Sequence, residues 1–118
     1  MKEKNMSEIN KKRIAIFGST GSIGTQTLEV ISANPDLFEV EILTAQTNDV
    51  LLIEQALKYQ PNAVVIGDEN KYEAVKSALS PKNIKVFTGP TALEEVADFE
   101  TYDMMLACIV GFAGLTPT

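Results

Sequence analysis

Short runs of apolar residues alternate along the chain with longer segments in which apolar residues recur every three or four positions. The short runs predict strands, and the longer segments predict helices between them. The predicted strands cover 14–17, 38–44, 63–66, 84–87 and 102–110. Strands and helices that alternate in this order across short turns are typical of a parallel sheet covered by helices. The pattern therefore predicts an α/β fold with a doubly wound, Rossmann-like sheet.

The apolar positions also predict which faces are buried. In the second strand, Val40, Ile42 and Thr44 alternate with Glu39, Glu41 and Leu43. The buried faces of the four predicted helices are Ile23, Leu28 and Ile31; Val50, Ile53 and Leu57; Tyr72, Val75 and Leu79; and Leu93 with Val96. Asn34 and Pro35 end the first helix, Asp68 is a candidate N-cap for the third, and residues 91–94 have the form of a capping box.

Three glycines, Gly18, Gly21 and Gly24, stand directly between the first predicted strand and the first helix. A chain that turns on glycines and then becomes a helix points backbone N–H groups and the positive end of the helix dipole at a ligand, which suits a diphosphate. We expect Gly18 to form the tight turn, Gly21 to let the backbone approach the phosphates, and Gly24 to let the helix pack closely on the strand. Ser19, Thr20 and Ser22 add hydroxyls that can donate to phosphate. A turn built on glycine for steric reasons alone is the alternative.

The end of the second predicted strand bears on which dinucleotide binds. Enzymes that prefer NAD commonly carry Asp or Glu about 20 residues past the glycines. Here the uncharged Gln46, Thr47 and Asn48 precede Asp49. The missing carboxylate favours NADP, because Thr47 and Asn48 can donate to a 2'-phosphate that no carboxylate repels. No Arg or Lys lies at 46–48, and a helix cap is the alternative role for Asn48.

Charge and composition remove several other classes of protein. Ten Lys and Arg against sixteen Asp and Glu give a net charge of -6 without a basic stripe, so we expect no nucleic-acid partner. No apolar segment is long enough to predict a signal peptide or a membrane span. The single cysteine, Cys108, lies in an apolar run and is expected to be a buried thiol in a reduced, cytoplasmic protein.

Residues that could carry chemistry are scarce. The chain has no His, and the acidic residues Asp98, Glu100 and Asp103 predict a solvated turn rather than a metal site. Tyr72 and Lys76 have the Tyr-x-x-x-Lys spacing of short-chain dehydrogenases, but they follow the glycines too soon for that family. We therefore expect Tyr72 to face the core and Lys76 to face solvent, and we predict no catalytic or metal-binding residue in this chain.

Two motifs together resemble the 1-deoxy-D-xylulose 5-phosphate reductoisomerase family. They are RIAIFGSTGSIG at 13–24 and ACIVGFAGL at 107–115, which is followed by Pro117 and Thr118, with Asn34-Pro35 and Phe38 between them. The resemblance covers 12–118. It implies an enzyme of the methylerythritol phosphate route to isoprenoids, which rearranges the carbon skeleton of a sugar phosphate and reduces the product with NADPH. In that family a divalent metal, Mg or Mn, polarises the oxygens of the substrate.

The resemblance also implies roles for particular residues. It places Thr20, Gly21, Ser22 and Ile23 at the cofactor phosphates and Asn48 near the 2'-phosphate, with Gln46 and Thr47 where the family often has Gly-Lys. Gly111 would let the backbone pass close to the ribose or nicotinamide, and a plain turn is the alternative there. The predicted cofactor site comprises Gly18, Ser19, Thr20, Gly21, Ser22, Ile23, Gly24, Gln46, Thr47, Asn48 and Gly111.

The same resemblance predicts the domain organisation. Residues 1–11 form a flexible tail, and 12–118 form an incomplete NADPH-binding domain, because the family's metal carboxylates and substrate-phosphate site lie beyond residue 118. We expect this chain to be inactive alone and the full-length enzyme to be a homodimer. The alternatives are the cofactor domain of an aspartate-semialdehyde or homoserine dehydrogenase and a non-catalytic NADP-binding module.

Overall fold

The computed structural model describes residues 11–89, 91–97 and 102–108. The strands are β1 (Lys12–Phe17), β2 (Phe38–Ala45), β3 (Ala63–Ile66), β4 (Lys85–Thr88) and β5 (Met104–Ala107). The α-helices are α1 (Ser22–Ser32), α2 (Asp49–Tyr59), α3 (Tyr72–Leu79) and α4 (Ala92–Ala97), with short 3-10 helices at Glu69–Lys71 and Ser80–Lys82. The predicted order of strands and helices is confirmed.

The strands form a parallel sheet in the order β4-β3-β2-β1-β5. The chain steps outward from β1 to β4 and then returns to place β5 on the other side of β1. The order of the strands therefore reverses at β1, whose carboxyl end lies between those of β2 and β5. Ligands of doubly wound sheets bind outside the carboxyl ends of the strands at such a reversal.

Helices cover both faces of the sheet. Ile14 and Ile16 of β1 face a core to which α1, α2 and α3 contribute, including Leu28, Leu52 and Val75. Ala15 and Phe17 face the opposite core, which is completed by Ala92 and Val96 of α4. Burial of each of the larger aliphatic side chains contributes about 1.5–3 kcal/mol to folding. The predicted doubly wound architecture is confirmed.

The predicted alternation along β2 is wrong, because β2 contains a bulge. Ile14 pairs with Val40, whereas Ala15 pairs with Ile42, so Glu41 is an additional residue in β2. One extra residue reverses which face the following side chains reach. Val40 accordingly lies in the core under α1–α3 and Ile42 in the core under α4.

Two predicted helix faces also need correction. In α1, Leu28 and Ile31 are buried as predicted, but Ile23 is 52% exposed and the next residue, Gly24, is buried instead. In α2, Ile53 packs against the core as predicted, but Val50 and Leu57 are exposed, and the buried positions are Leu52, Gln55 and Ala56. Adjacent residues of a helix lie about 100° apart, so an error of one position turns a predicted face away from the sheet.

The predicted face of α3 is confirmed. Val75 and Leu79 are fully buried and Tyr72 packs against the same core, while Lys76 is exposed with its ammonium 5.5 Å from the centre of the Tyr72 ring. Asp68 caps the 3-10 helix that precedes α3 rather than α3 itself, because its carboxylate accepts from the backbone N–H of Asn70 at 3.0 Å. The Tyr72–Lys76 pair is therefore part of the packing of α3.

Asp103 joins the start of β5 to β1. Its carboxylate accepts from the backbone N–H of Arg13 at 2.9 Å, and the Arg13 guanidinium lies 3.4 Å away. The backbone N–H of Asp103 donates to Arg13 O at 2.7 Å. The hydrogen bond from the Arg13 backbone, followed by those from its guanidinium, lowers the pKa of Asp103 below its usual value of 3.8. The other two members of the predicted acidic turn, Asp98 and Glu100, lie outside the described residues.

Candidate functional site

The turn after β1 is fixed to the end of β2 by hydrogen bonds. Gly18 has a φ of +88°, a left-handed conformation that glycine adopts without strain. Its N–H donates to both the hydroxyl and the carbonyl oxygen of Thr44, at 2.9 and 3.2 Å. The N–H of Ser19 donates to the same carbonyl at 2.8 Å. Gly18 therefore forms the tight turn that the sequence predicts.

Gly24 allows α1 to lie directly on this turn. A Cβ atom at Gly24 would overlap the carbonyl oxygen of Gly18 and lie 2.6 Å from the Cα atom of Ser19. Both neighbours are backbone atoms and cannot rotate away. The predicted steric role of Gly24 is confirmed.

Gly21 differs from these two glycines, because no described neighbour requires a glycine there. Its backbone is extended, with φ -76° and ψ 175°. A Cβ atom would lie 3.7 Å from Gly18 O and 4.0 Å from Cys108 O, which are ordinary contacts. Gly21 is exposed at the mouth of the turn. A steric turn alone does not explain this glycine, whereas a ligand that approaches the backbone would.

Within the described part of the chain, no side chain accepts a hydrogen bond from the N-terminus of α1. Gly21 is the N-cap residue without a side-chain capping hydrogen bond, and the first turn of α1 contains no acidic residue. Ser22 and Ile23 in this turn are exposed. The first N–H groups of a helix carry a partial positive charge and have no partner within the helix. The geometry of this end of α1 therefore suits an anion.

The side chain of Ser19, a predicted site residue, does not face this end of α1. It is fully buried, and its hydroxyl donates to Gln55 Oε1 at 2.7 Å. Gln55 Nε2 in turn donates to the carbonyl oxygen of Ser19 at 2.9 Å. The expectation that the Ser19 hydroxyl donates to phosphate is wrong, because this donor is already used inside the protein.

Gln55 was not identified from the sequence. It lies on the buried face of α2, one helical turn from Leu52, and it is one of the buried polar side chains of the described residues. A polar residue at that spacing was the available signal, but its partner Ser19 is distant in the sequence. Gln55 therefore connects α2 to the glycine turn through two hydrogen bonds and fixes the position of Ser19.

A cleft of about 310 Å³ opens beside the turn at the carboxyl edge of the sheet. It brings Gly18, Thr20 and Gly21 together with Gln46, whose side chain lies against Gly67. A Cβ atom at Gly67 would lie 2.6 Å from Gln46 Oε1, so glycine makes room for that side chain. The lining residues are Gly18, Thr20, Gly21, Thr44, Ala45, Gln46, Val65, Gly67, Gly89, Leu93 and Cys108.

Gln46, Thr47 and Asn48 are exposed between β2 and α2. Asn48 Oδ1 accepts from the backbone N–H of Leu51 at 3.1 Å, so Asn48 is the N-cap of α2. This hydrogen bond uses the amide oxygen, and the amide nitrogen is a separate donor. Lys71, which the sequence analysis did not identify, lies with its ammonium 3.5 Å from Asp49 Oδ1 in the first turn of α2.

Cys108 closes the cleft at the end of β5. It is buried in the core with α1, its N–H donates to Phe17 O at 2.7 Å, and its sulfur lies 3.9 Å from the Thr27 hydroxyl. The predicted buried thiol is confirmed. Gly111 lies outside the described residues, as does the rest of 109–118. Among the described residues, no three His, Cys, Asp or Glu side chains are grouped to hold a metal ion.

A parallel sheet with helices on both faces, and a glycine turn into α1 where the strand order reverses, define a Rossmann-like α/β domain. The family model for 1-deoxy-D-xylulose 5-phosphate reductoisomerase matches residues 14–118. The chain belongs to this family, as the sequence motifs predict.

Curated relatives agree with this assignment. The chain is 54% identical over 108 residues to the reductoisomerase of Phocaeicola vulgatus and 52% identical over 113 residues to that of Bacteroides fragilis. These alignments cover 92% and 96% of this chain but 28% and 29% of the relatives. The chain thus spans less than a third of the length of the relatives it matches.

Solved structures show the same fold. The reductoisomerase of Zymomonas mobilis in complex with NADPH matches with a TM-score of 0.78 and 33% identity, over 84% of this chain and 26% of that one. A reductoisomerase in complex with NADPH, fosmidomycin and magnesium matches with a TM-score of 0.80 and 29% identity, over 88% of this chain and 26% of that one. None of the helices that the structure describes here is long and apolar enough to cross a membrane.

Proposed function

We propose that this chain is the NADPH-binding part of a 1-deoxy-D-xylulose 5-phosphate reductoisomerase. The observation that carries the proposal is the N-terminus of α1, where the N-cap residue Gly21 provides no side-chain cap and the strand order reverses. The family match supports it, as does the fold shared with a reductoisomerase solved with NADPH. The same match argues against the aspartate-semialdehyde and homoserine dehydrogenase alternatives.

The cofactor diphosphate lies at the start of α1 in this proposal. Backbone N–H groups of Thr20, Ser22 and Ile23 are its donors, assisted by the exposed hydroxyl of Ser22. Gly21, whose own N–H donates to Gly18 O at 3.3 Å, lets the phosphates approach the backbone. Gly18 and Gly24 determine the shape of the turn, and the Ser19 hydroxyl is hydrogen-bonded to Gln55 inside the protein rather than to phosphate. Bound there, NADPH supplies the electrons for the reduction.

The adenosine end of the cofactor lies between β2 and α2 in this proposal. Thr47 and the amide nitrogen of Asn48 donate to the 2'-phosphate, and Gln46 lines the cleft toward the ribose. The diphosphate part and the adenosine part of the proposed site are continuous along the carboxyl edge of the sheet, because Gly18, Gly21 and Gln46 line one cleft. Gly111 completes the proposed site near the ribose or nicotinamide.

The whole enzyme converts 1-deoxy-D-xylulose 5-phosphate to 2-C-methyl-D-erythritol 4-phosphate in this proposal. Residues 12–118 contribute the NADPH-binding domain, and the groups that hold Mg or Mn and the sugar phosphate belong to other parts of the enzyme. Reductoisomerases solved with fosmidomycin and magnesium support a metal-dependent enzyme. The full-length protein is a cytoplasmic homodimer, and the 118-residue chain alone is inactive.

Titration calorimetry of the 118-residue chain with NADPH tests the proposal. We expect saturable 1:1 binding, and we expect Gly21→Val to weaken it about 100-fold, because the new side chain occupies the approach to the N–H groups. Ser32→Val introduces the same side chain at the exposed opposite end of α1 and is expected to bind like the parent. A folded parent chain that does not bind NADPH, or a Gly21→Val variant that binds equally well, contradicts the proposal.

A further inference from the structure

The proposed 2'-phosphate site at 46–48 contains no basic residue, but the side chain of Lys71 lies next to the helix that follows it. No Arg or Lys occurs at 46–48. The Lys71 ammonium, which comes from the turn after β3, lies 3.5 Å from Asp49 Oδ1. Asp49 is the first residue of α2 and directly follows Asn48. A positive charge from the neighbouring turn thus reaches the N-terminus of α2.

The backbone fixes this turn beside the loop that follows β2. The N–H of Gly67 donates to Ala45 O at 2.9 Å, and the N–H of Asp68 donates to Gln46 O at 2.8 Å. Asp68 also closes the 3-10 helix at whose end Lys71 lies, accepting at its own carbonyl from the Lys71 N–H at 2.9 Å. Lys71 therefore reaches Asp49 from a hydrogen-bonded turn rather than from a loop that is free to move away.

The ion pair changes what Asp49 does to a cofactor. A free carboxylate at the start of α2, directly after Asn48, would accept from a ribose 2'-hydroxyl and repel a 2'-phosphate, which favours NADH. Lys71 forms an ion pair with that carboxylate and offsets part of its charge. The Lys71 side chain is 42% exposed, compared with 18% for Asp49, so the ammonium keeps surface on which a second anion can bind.

We infer that Lys71 is a specificity-determining residue that binds the 2'-phosphate of NADPH, in the role that a basic residue at 46–48 would otherwise have. This inference rests on the proposed NADPH site. Lys71 acts in two ways: it donates to the phosphate, and it withdraws Asp49 from the 2'-hydroxyl of NADH. The ratio of the NADH and NADPH dissociation constants is the quantity that it controls.

Titration of Lys71→Gln with NADPH and with NADH measures this ratio. We expect the NADPH affinity to fall about tenfold, because a charge-assisted hydrogen bond is lost, and the NADH affinity to stay unchanged or rise. Lys71→Arg retains the charge and is expected to retain the preference for NADPH. Lys76→Gln is the matched control, since it removes the same charge from an exposed position on α3 and should change neither affinity.

Asp49→Asn tests the other half of the pair. Removal of the carboxylate leaves Lys71 without a competing anion, so we expect NADPH to bind about threefold more tightly. Weaker NADPH binding in Asp49→Asn, with a folded chain, would contradict the inference. Circular dichroism of each variant identifies any loss of folding.

The outcomes separate the inference from the proposed function. An equal loss of NADPH and NADH affinity in Lys71→Gln would mean that the residue only supports the structure, which overturns the inference. A parent chain that prefers NADPH and a Lys71→Gln variant with the same preference would overturn the inference and leave the proposed function standing. A folded parent chain that binds neither nucleotide would overturn both.

Discussion

The N-termini of α1 and α2 lie at the same edge of the sheet, each directly after a strand, and they are completed in opposite ways. The Asn48 side chain accepts a hydrogen bond from Leu51 in the first turn of α2, and the acidic Asp49 follows it. At α1 the N-cap is Gly21, with no side-chain cap and no acidic residue. Among the described residues, a side chain caps α2 and none caps α1. This difference favours the N-terminus of α1 over that of α2 as the proposed diphosphate site.

The middle of α2 is also hydrogen-bonded to the turn that precedes α1. Gln55 of α2 exchanges two hydrogen bonds with Ser19 in the turn before α1. Helix α2 therefore stabilises the turn from which α1 begins. Changes at either end should affect stability and binding to different extents, which the following variants measure.

Gly24→Ala is expected to have the largest effect on stability. Its Cβ atom overlaps backbone atoms of Gly18 and Ser19, so either α1 or the turn must shift. We expect a loss of at least about 3 kcal/mol in the free energy of unfolding, measured by urea denaturation. Gly21→Ala is the matched control, because the same methyl group fits there, and should cost less than about 1 kcal/mol. Equal losses in the two variants would remove the distinction between a packing glycine and a ligand-facing glycine.

Gln55→Leu tests the connection between the two helices. The substitution leaves the buried carbonyl oxygen of Ser19 without its partner from Gln55 and leaves the Ser19 hydroxyl only its longer hydrogen bond to Thr44 O at 3.3 Å. We expect this to cost about 1–3 kcal/mol of stability. NADPH binding should weaken as well, because the turn loses its support. Gln55→Glu retains an acceptor for the Ser19 hydroxyl but removes the donor to its carbonyl oxygen, so an undiminished stability in that variant would contradict the account.

Two substitutions at Asn48 separate capping from phosphate recognition. Asn48→Ala removes the cap of α2 and should cost about 1 kcal/mol of stability. Asn48→Asp retains an effective N-cap but places a negative charge at the proposed 2'-phosphate site. We expect Asn48→Asp to keep its stability in thermal denaturation while its NADPH affinity falls and its NADH affinity does not. An NADPH affinity that follows stability across both variants would mean that Asn48 is only a cap.

The smallest expected effect is a pH dependence of folding stability that arises from Asp103, next to the amino end of β1. The pKa of Asp103 is lowered by the Arg13 backbone N–H and then by its guanidinium, so the folded state binds this proton less readily than the unfolded state. The resulting stabilisation is present above the ordinary carboxyl pKa and is lost as the pH falls through the lowered value. Asp103→Asn should flatten the acid limb of a stability-against-pH curve without changing NADPH affinity at neutral pH. An unchanged acid limb would contradict the assignment.

The sequence predicted the parts of this fold that depend on neighbours in the chain. Gly18 and Gly24 have the predicted steric roles, since a strand, a turn and a helix within a dozen residues determine them. The bulge at Glu41 depends on pairing with β1, and the inward position of Gln55 depends on its partner Ser19. Lys71 meets Asp49 only because two turns are hydrogen-bonded side by side. Such features arise from contacts between distant segments, which hydrophobic periodicity does not encode.

The most direct test of the central claim is an amide chemical-shift titration of the 118-residue chain with NADPH, because it observes the N–H groups at both helix ends. We expect the largest shifts at residues 20–24, which span the end of the glycine turn and the start of α1, with smaller shifts at 46–48 and little change in the capped N–H of Leu51. Shifts confined to other parts of the chain, with residues 20–24 unchanged at saturation, would contradict it.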